Sequence, residues 1–395
     1  MRTLPVATVT VCLLCSALHA QGTFPLTYQD AEGSLQVVTQ MASRGFGVTP
    51  SKPRGVTGVP DDTACCSMDV GGKSVWAAVV GGDSPKLYVD TDGDGDLSDE
   101  KPLTGKGSGP QVEFGTVELA TSQGTPVKVA LQAYMDRAKP PRPRFVRMRI
   151  AGCPTGKVTL AGKAYNVAVI DSNLNGRYSD TMEGKESFSR DIDGLAIDLN
   201  GDGHFNPPSL SIQPMEWMPL AKGIKVADTY YTVGVAADGS TIELAKTDPG
   251  FGTLDLGASD VEMMAFSDFG FHRTQGGGKV RLPAGKYMPV MVSLNRTDAD
   301  GAKWTLRRSG GTDKLSQLRI EAGKTCVIEL GPPLVARTDV RQNGRNVSIG
   351  LSLVGKAGEK YAAGATKDNK RPPAPTLEII DENEKVIHTD KFEYG

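Results

Sequence analysis

Three short segments of the chain place oxygen-bearing side chains at alternate positions and then turn on a glycine. They are Asp90-Thr91-Asp92-Gly93-Asp94-Gly95-Asp96-Leu97-Ser98-Asp99-Glu100, Asp171-Ser172-Asn173-Leu174-Asn175-Gly176-Arg177-Tyr178-Ser179-Asp180 and Asp198-Leu199-Asn200-Gly201-Asp202-Gly203-His204-Phe205-Asn206. In each, positions 1, 3 and 5 are Asp or Asn, position 6 is glycine and position 8 is apolar: Leu97, Tyr178 and Phe205. Each is entered from a short apolar run, Leu87 to Val89, Val167 to Ile170 and Leu195 to Ile197, that reads as a strand. Asp, Asn and Gly gather in polar turns generally. The joint recurrence of the glycine and the inward apolar residue in all three asks for a more specific cause.

Alternate carboxylates converge on one hard cation only if the chain bends sharply after the fifth position; glycine at the sixth permits the bend, and the seventh residue offers its carbonyl. The pattern resembles the calcium loop of EF-hand and dockerin proteins. That resemblance implies Ca2+ held by Asp90, Asp92, Asp94, Asp96 and Asp99, by Asp171, Asn173, Asn175, Arg177 and Asp180, and by Asp198, Asn200, Asp202, His204 and Asn206. Asp96, Arg177 and His204 stand at position 7. The family pattern fails at position 12, where Lys101, Met182 and Ser209 replace its glutamate, and the flanking helices are missing. The loops are therefore expected to close on Ser98 or Asp99, on Ser179 or Asp180, and on Asn206. The first should bind most tightly, because its carboxylates, Glu100 included, repel one another without a cation, whereas the second carries mostly neutral amides.

Elsewhere the chain spells strands. Val146, Met148 and Ile150 alternate with arginines, and Gly156 to Val169 reads as a hairpin about Ala161-Gly162-Lys163. Tyr231 to Leu244 reads as another, about Asp238-Gly239. Only 30–44 and 260–268 suit short helices. Leu282-Pro283-Ala284-Gly285-Lys286-Tyr287 resembles the corner of transthyretin-like and collagen-adhesin B sandwich modules. The expected fold class is all-β, with several β-sandwich-like domains, strand-entered calcium loops and little helix. The expected divisions are an N-terminal segment 21–60, a domain 61–248 carrying the three loops, a sandwich 249–333 and a small terminal β domain 334–395, with Gly331-Pro332-Pro333 as hinge.

Residues 1–20 read as a signal peptide: Arg2, then an apolar run from Val6 to Leu18 too short to span a bilayer, then Ala20. Export leaves Cys65, Cys66, Cys153 and Cys326 in an oxidising compartment. Alternation points Cys326 into a core as a free thiol, and Cys153 then pairs best with Cys65 or Cys66. With 44 Lys+Arg against 46 Asp+Glu, no global field recruits nucleic acid or an anionic membrane.

Catalytic signatures are thin. No serine sits in a glycine elbow and no zinc-protease helix is present, while Gly71-Gly72-Lys73-Ser74 lacks the first glycine of a phosphate loop. The basic run Arg137 to Arg144 reads as a solvated, proline-protected edge in preference to a polyanion site. Trp76, Trp217 and Trp304 suit cores better than a sugar-stacking platform. The chain resembles exported bacterial β-sandwich proteins with DxDxDG loops, which carry over no activity. The expectation is a calcium-stabilised structural or interaction protein with a protein or polysaccharide partner at the cell surface. The alternative is a secreted carbohydrate-binding accessory protein or hydrolase that uses calcium structurally.

Overall fold

The computed structural model describes residues 21–395 apart from 60–62, 108–109, 124, 137–141, 184, 186–190, 208–213, 258–259, 275–277, 310–314, 316–317, 362–364 and 393–395. Residues 1–20, read as a signal peptide, most of the basic run and Ser209 thus lie outside the described residues. The described residues are almost wholly strands and irregular connections, with one short helix among them, Ser34–Thr39, continued by a 3-10 turn, Gln40–Ala42. The second helical expectation fails: Val261–Ser267 is a strand. Its Met263, Met264, Ala265 and Phe266 are all buried, so both faces are covered and the alternation that marks a strand in sequence is missing.

Four sheets share one core that runs from Leu26 to Leu244 and takes in Phe266 and Met288. Each receives a strand from residues 21–50. Gln21–Pro25 pairs with Thr241–Thr247, Thr27–Asp30 with Gly152–Leu160, Ser43–Gly47 with Pro143–Ile150, and Thr49–Pro50 with Ala64–Val70. The N-terminal segment is thus woven into the sheets it precedes. Its strands are edges with little buried area, which is why their sequence shows so little pattern. The sheet that feeds the second and third polar segments runs in the order Trp217–Pro219, Gly194–Ile197, Lys163–Ile170, Gly152–Leu160, Thr27–Asp30. Gly194–Ile197 is buried at every residue, as expected of a strand covered on both sides.

A second core gathers Leu254, Val261, Tyr287, Val292, Leu318 and Tyr361 among others. Lys279–Pro283 pairs with Phe251–Asp255, whereas Gly285–Thr297 pairs with Val261–Ser267, so the chain changes sheets at the Pro283 to Gly285 corner. The Tyr287 hydroxyl donates to the Pro283 carbonyl at 2.8 Å and fixes the bend. Beyond Gly331, Val335–Asn343 and Asn346–Val354 form one hairpin, and Thr376–Ile380 and Val386–Lys391 another. Buried Glu359 ties the first of these to the preceding segment, accepting from the Gly331 N–H at 2.6 Å, the Ala357 N–H at 3.0 Å and the Tyr361 hydroxyl at 3.1 Å.

All four described cysteines are free thiols, so the expected Cys153 pairing is not made. Adjacent strand residues face opposite ways. Cys66 enters the main core beside Met68, and Cys65 enters a separate small cluster with Ala78 and Leu97. Cys153, fully buried, belongs to a different sheet. Cys326 is only half-buried. Of the tryptophans, Trp217 is buried, while Trp76 and Trp304 are half-exposed under Arg54 and Lys367 respectively.

Candidate metal centre

The three polar segments adopt one hydrogen-bonding frame. At position 1, a carboxylate oxygen accepts the position-6 N–H: Asp90 from Gly95 at 3.1 Å, Asp171 from Gly176 at 2.7 Å, Asp198 from Gly203 at 3.0 Å. Position 3 accepts from the position-5 N–H: Asp92 from Asp94, Asn173 from Asn175, Asn200 from Asp202. Position 5 accepts from position 7: Asp94 from Asp96, Asn175 from Arg177, Asp202 from His204. Gly95, Gly176 and Gly203 have φ of 86°, 78° and 85°, the left-handed region where glycine is unstrained. Position 4 is left-handed too, at Gly93, Leu174 and Gly201, and Leu174 pays steric strain there at φ 60°. Leu97, Tyr178 and Phe205 at position 8 are all buried, as the pattern implied.

Strand pairing supplies a further carboxylate to each loop; in sequence Glu100 is counted among the first loop's carboxylates but not among its ligands, and Asp193 and Glu216 are not singled out. Each lies just before the antiparallel strand that pairs next to the one feeding the loop. Glu100 precedes Leu103–Thr104, which pairs with Lys86–Val89, and it accepts from the Thr91 N–H at 2.5 Å and hydroxyl at 2.9 Å. Asp193 precedes Gly194–Ile197, which pairs with Lys163–Ile170; it accepts from the N–H of Ser172 at 3.1 Å and of Asp180 at 2.9 Å. Glu216 precedes Trp217–Pro219, which pairs with Gly194–Ile197; it accepts from Asn200 at 3.1 Å and Asn206 at 2.8 Å. The geometric reason is common to all three. Where one strand ends in a loop, its antiparallel neighbour begins, so the residue ahead of that neighbour lies beside the loop.

The first loop differs from the others in what its side chains face. Asp90, Asp92 and Glu100 bring carboxylate oxygens within 4.8 Å of one another, and so do Asp92, Asp94 and Asp99. Either group could hold a metal ion. Asp90 is fully buried, and its Oδ1 has no hydrogen-bond partner. A carboxylate oxygen left unsatisfied in the interior costs several kcal/mol unless a cation meets it. Asp96 turns its side chain to the Ser98 N–H at 2.8 Å; with the Ser98 hydroxyl, that bond holds its carboxyl below the ordinary range. At position 7 the calcium-loop pattern uses the backbone carbonyl, which this turn of the side chain leaves free of it. Lys73 donates to the Asp92 carbonyl.

In the second loop the amides of Asn173 and Asn175 both donate to Asp180 Oδ2, at 2.8 and 2.7 Å, so these predicted donors and their closing residue do come together. Burial pushes the Asp193 carboxyl up to about 8, with the Asp171 charge adding to it, and pushes Asp171 up to about 6 against its three backbone hydrogen bonds. In the third, Asn200 Nδ2 donates to Asp202 at 3.0 Å, Asn166 donates to Asp198 at 3.1 Å, and Glu216 takes the Asn206 N–H. His204 contributes its backbone N–H to the frame. The second and third loops leave opposite ends of one sheet, because their feeding strands are antiparallel neighbours.

One pair outside the loops has a catalytic look that the sequence did not reveal. Ser267 Oγ and His272 Nε2 lie 2.8 Å apart across a hairpin, but both residues are buried and Ser267 Oγ also accepts the Phe269 N–H. Burial pushes the imidazole down to about 4, so it stays neutral. The arrangement reads as a satisfied core pair. Comparison of the chain with protein-family models, curated proteins and solved structures finds no match to any of them.

Proposed function

We propose that the protein is an exported, calcium-stabilised structural or interaction protein, with Ca2+ held by the loop that starts at Asp90. The observation that carries the reading is the buried, unpartnered Oδ1 of Asp90, on a carboxylate that lies within 4.8 Å of those of Asp92 and Glu100. The donors are Asp90, Asp92 and Asp94 with the Asp96 carbonyl, completed by Asp99 or Glu100. An all-oxygen, flexible and strongly anionic set suits calcium, whereas magnesium demands a tighter octahedron and keeps its water.

A cation there would act as a clamp. Asp90 ends a core strand, Leu97 plugs the small cluster of Cys65 and Ala78, and the Thr91 carbonyl accepts the Ala120 N–H at 3.0 Å from a neighbouring sheet. Fixing the loop thus fixes the junction of two sheets. At a free calcium concentration a hundredfold above the dissociation constant, the gain is roughly 2.7 kcal/mol. The second and third loops share the frame but fill it with amides and internal hydrogen bonds, which makes them weaker sites. The alternative, a sugar-binding accessory protein, draws no support from the tryptophans, since Trp76, Trp217 and Trp304 pack in three separate places.

Isothermal titration of the chelator-treated protein with calcium and with magnesium tests the reading. It predicts saturable calcium binding in preference to magnesium, weakened at least tenfold in an Asp92→Asn, Asp94→Asn variant, which keeps the loop's backbone hydrogen bonds. Equal binding by the variant, or none by either protein, would overturn it.

A further inference from the structure

The strand Val335–Asn343 is exposed at all nine residues. On one edge it pairs with Asn346–Val354, in register from Val335↔Val354 to Asn343↔Asn346. Among the described residues no strand pairs with its other edge. A two-residue turn, Gly344 and Arg345, joins the two strands. In such a hairpin the residues flanking the turn exchange both backbone bonds, and every second residue does the same. Asn343, Arg341 and Asp339 therefore spend their N–H and C=O groups on the hairpin, and Thr338, Val340 and Gln342 present theirs to the open edge.

Open edges are normally blunted by proline, a bulge or a run of like charge. This one has no proline and no register shift. Its charges alternate in sign along one face: Arg337, Asp339 and Arg341, with Arg341 and Asp339 in contact at 3.0 Å and both largely exposed. Val340, on the opposite face, is 61% exposed.

We propose that a second copy of this chain pairs with this edge, antiparallel and centred on Val340. Twofold pairing about Val340 sets it against the partner's Val340, and both present outward backbone groups, as a hydrogen-bonded pair requires. The same register sets Asp339 against the partner's Arg341 and Arg341 against the partner's Asp339, two opposite-charge pairs across the strands. Thr338 then meets the partner's Gln342. Centring on Asp339 would oppose Asp to Asp and Arg to Arg, which is destabilising. Centring on Thr338 would also oppose Arg337 to the partner's Asp339, but it would set Val335 against the partner's Arg341, leave Arg341 without an opposite charge across the strands and separate the valines. The contact spans seven residues on each copy, from Arg337 to Asn343, so it is a small interface of the weak, reversible class.

Sedimentation velocity of the full mature chain, from low micromolar to several hundred micromolar, reads the association. The expected result is a concentration-dependent monomer and dimer. Asp339→Arg and Arg341→Asp should each weaken it at least tenfold, and the two together should restore it, because exchanging both charges recreates both pairs. Val340→Pro should abolish it without breaking the hairpin, since the N–H it removes points outward. Unchanged far-UV circular dichroism and melting in these variants keep the result free of folding defects. A chain that stays monomeric throughout overturns the proposal. So does a dimer indifferent to the charge reversals, and so does pairing with a foreign extended peptide at this edge in place of a second copy.

Discussion

Gly71 and Asn175 meet backbone to backbone: a Cβ on Gly71 would lie 2.8 Å from the Asn175 Cα. The turn of one hairpin thereby docks on the second polar loop, which belongs to a different sheet. Nearby, the Gly71 carbonyl accepts from Ser122, and a Cβ on Gly176 would meet the Thr125 carbonyl at 2.6 Å. Three sheets thus converge where the loops at Asp90 and Asp171 approach Ala120, Ser122 and Thr125, and tolerance for any added atom is small there.

Gly71→Ala should therefore destabilise the protein by about 2 to 3 kcal/mol, combining the strain of a positive φ with a clash against backbone that has nowhere to move. Gly72, also at positive φ but facing only the Ser122 hydroxyl at 3.2 Å, is the control, and Gly72→Ala should cost about 1 kcal/mol. Urea denaturation of the two variants reads the difference. Equal losses would remove the Gly71 to Asn175 contact from the account.

Glu216 is 1% exposed and gives both carboxylate oxygens to N–H groups of the third loop. Glu216→Ala strands the Asn200 and Asn206 donors and opens a cavity, for a loss of about 2 to 4 kcal/mol. Hydrogen exchange should quicken at residues 198–206 before it does elsewhere in the sheet. Exchange unchanged at that loop would show that the frame holds without its clasp.

His272 gives the stability a pH dependence of known sign. Burial, with the Lys225 charge adding to it, holds its folded-state pKa at about 4, below the ordinary value of about 6.5. Between those values the unfolded chain binds the extra proton, so the contribution is complete above about pH 6.5 and declines as the pH falls towards 4. Over that window the loss from this group approaches about 3 kcal/mol. His272→Gln should flatten that part of the difference profile in urea titrations from pH 7 to pH 5. A profile as steep in the variant as in the parent would assign the acid sensitivity to other groups.

The position-1, -3, -5 and -6 pattern was legible in sequence because it is local: a run of nine or ten residues carries its own turn, its own acceptors and its own anchor. Glu100 was legible as part of the first loop's charge, being local to it, whereas Asp193 and Glu216 were not legible as clasps, because their place beside the loops depends on which strand pairs next, and Asp193 lies 22 residues beyond Asp171 in the chain. The all-β class followed from alternation and turn residues, as at Gly156 to Val169. It was lost where both faces are buried, as at Val261–Ser267, and where an edge strand buries almost nothing, as at Thr27–Asp30. Cys65 and Cys66 show the limit of counting alone: adjacency on a strand sends the two thiols to opposite faces, each into its own cluster.

The central claim is that an ion at the first loop stabilises the fold, and thermal unfolding of residues 21–395 in chelator and in millimolar calcium tests it most directly. The account predicts a melting temperature several degrees higher with calcium, and a response largely lost in an Asp92→Ala, Asp94→Ala variant. A melting temperature that ignores calcium in both proteins would contradict it, leaving Asp90 to Glu100 as a polar turn that keeps a buried carboxylate without a cation.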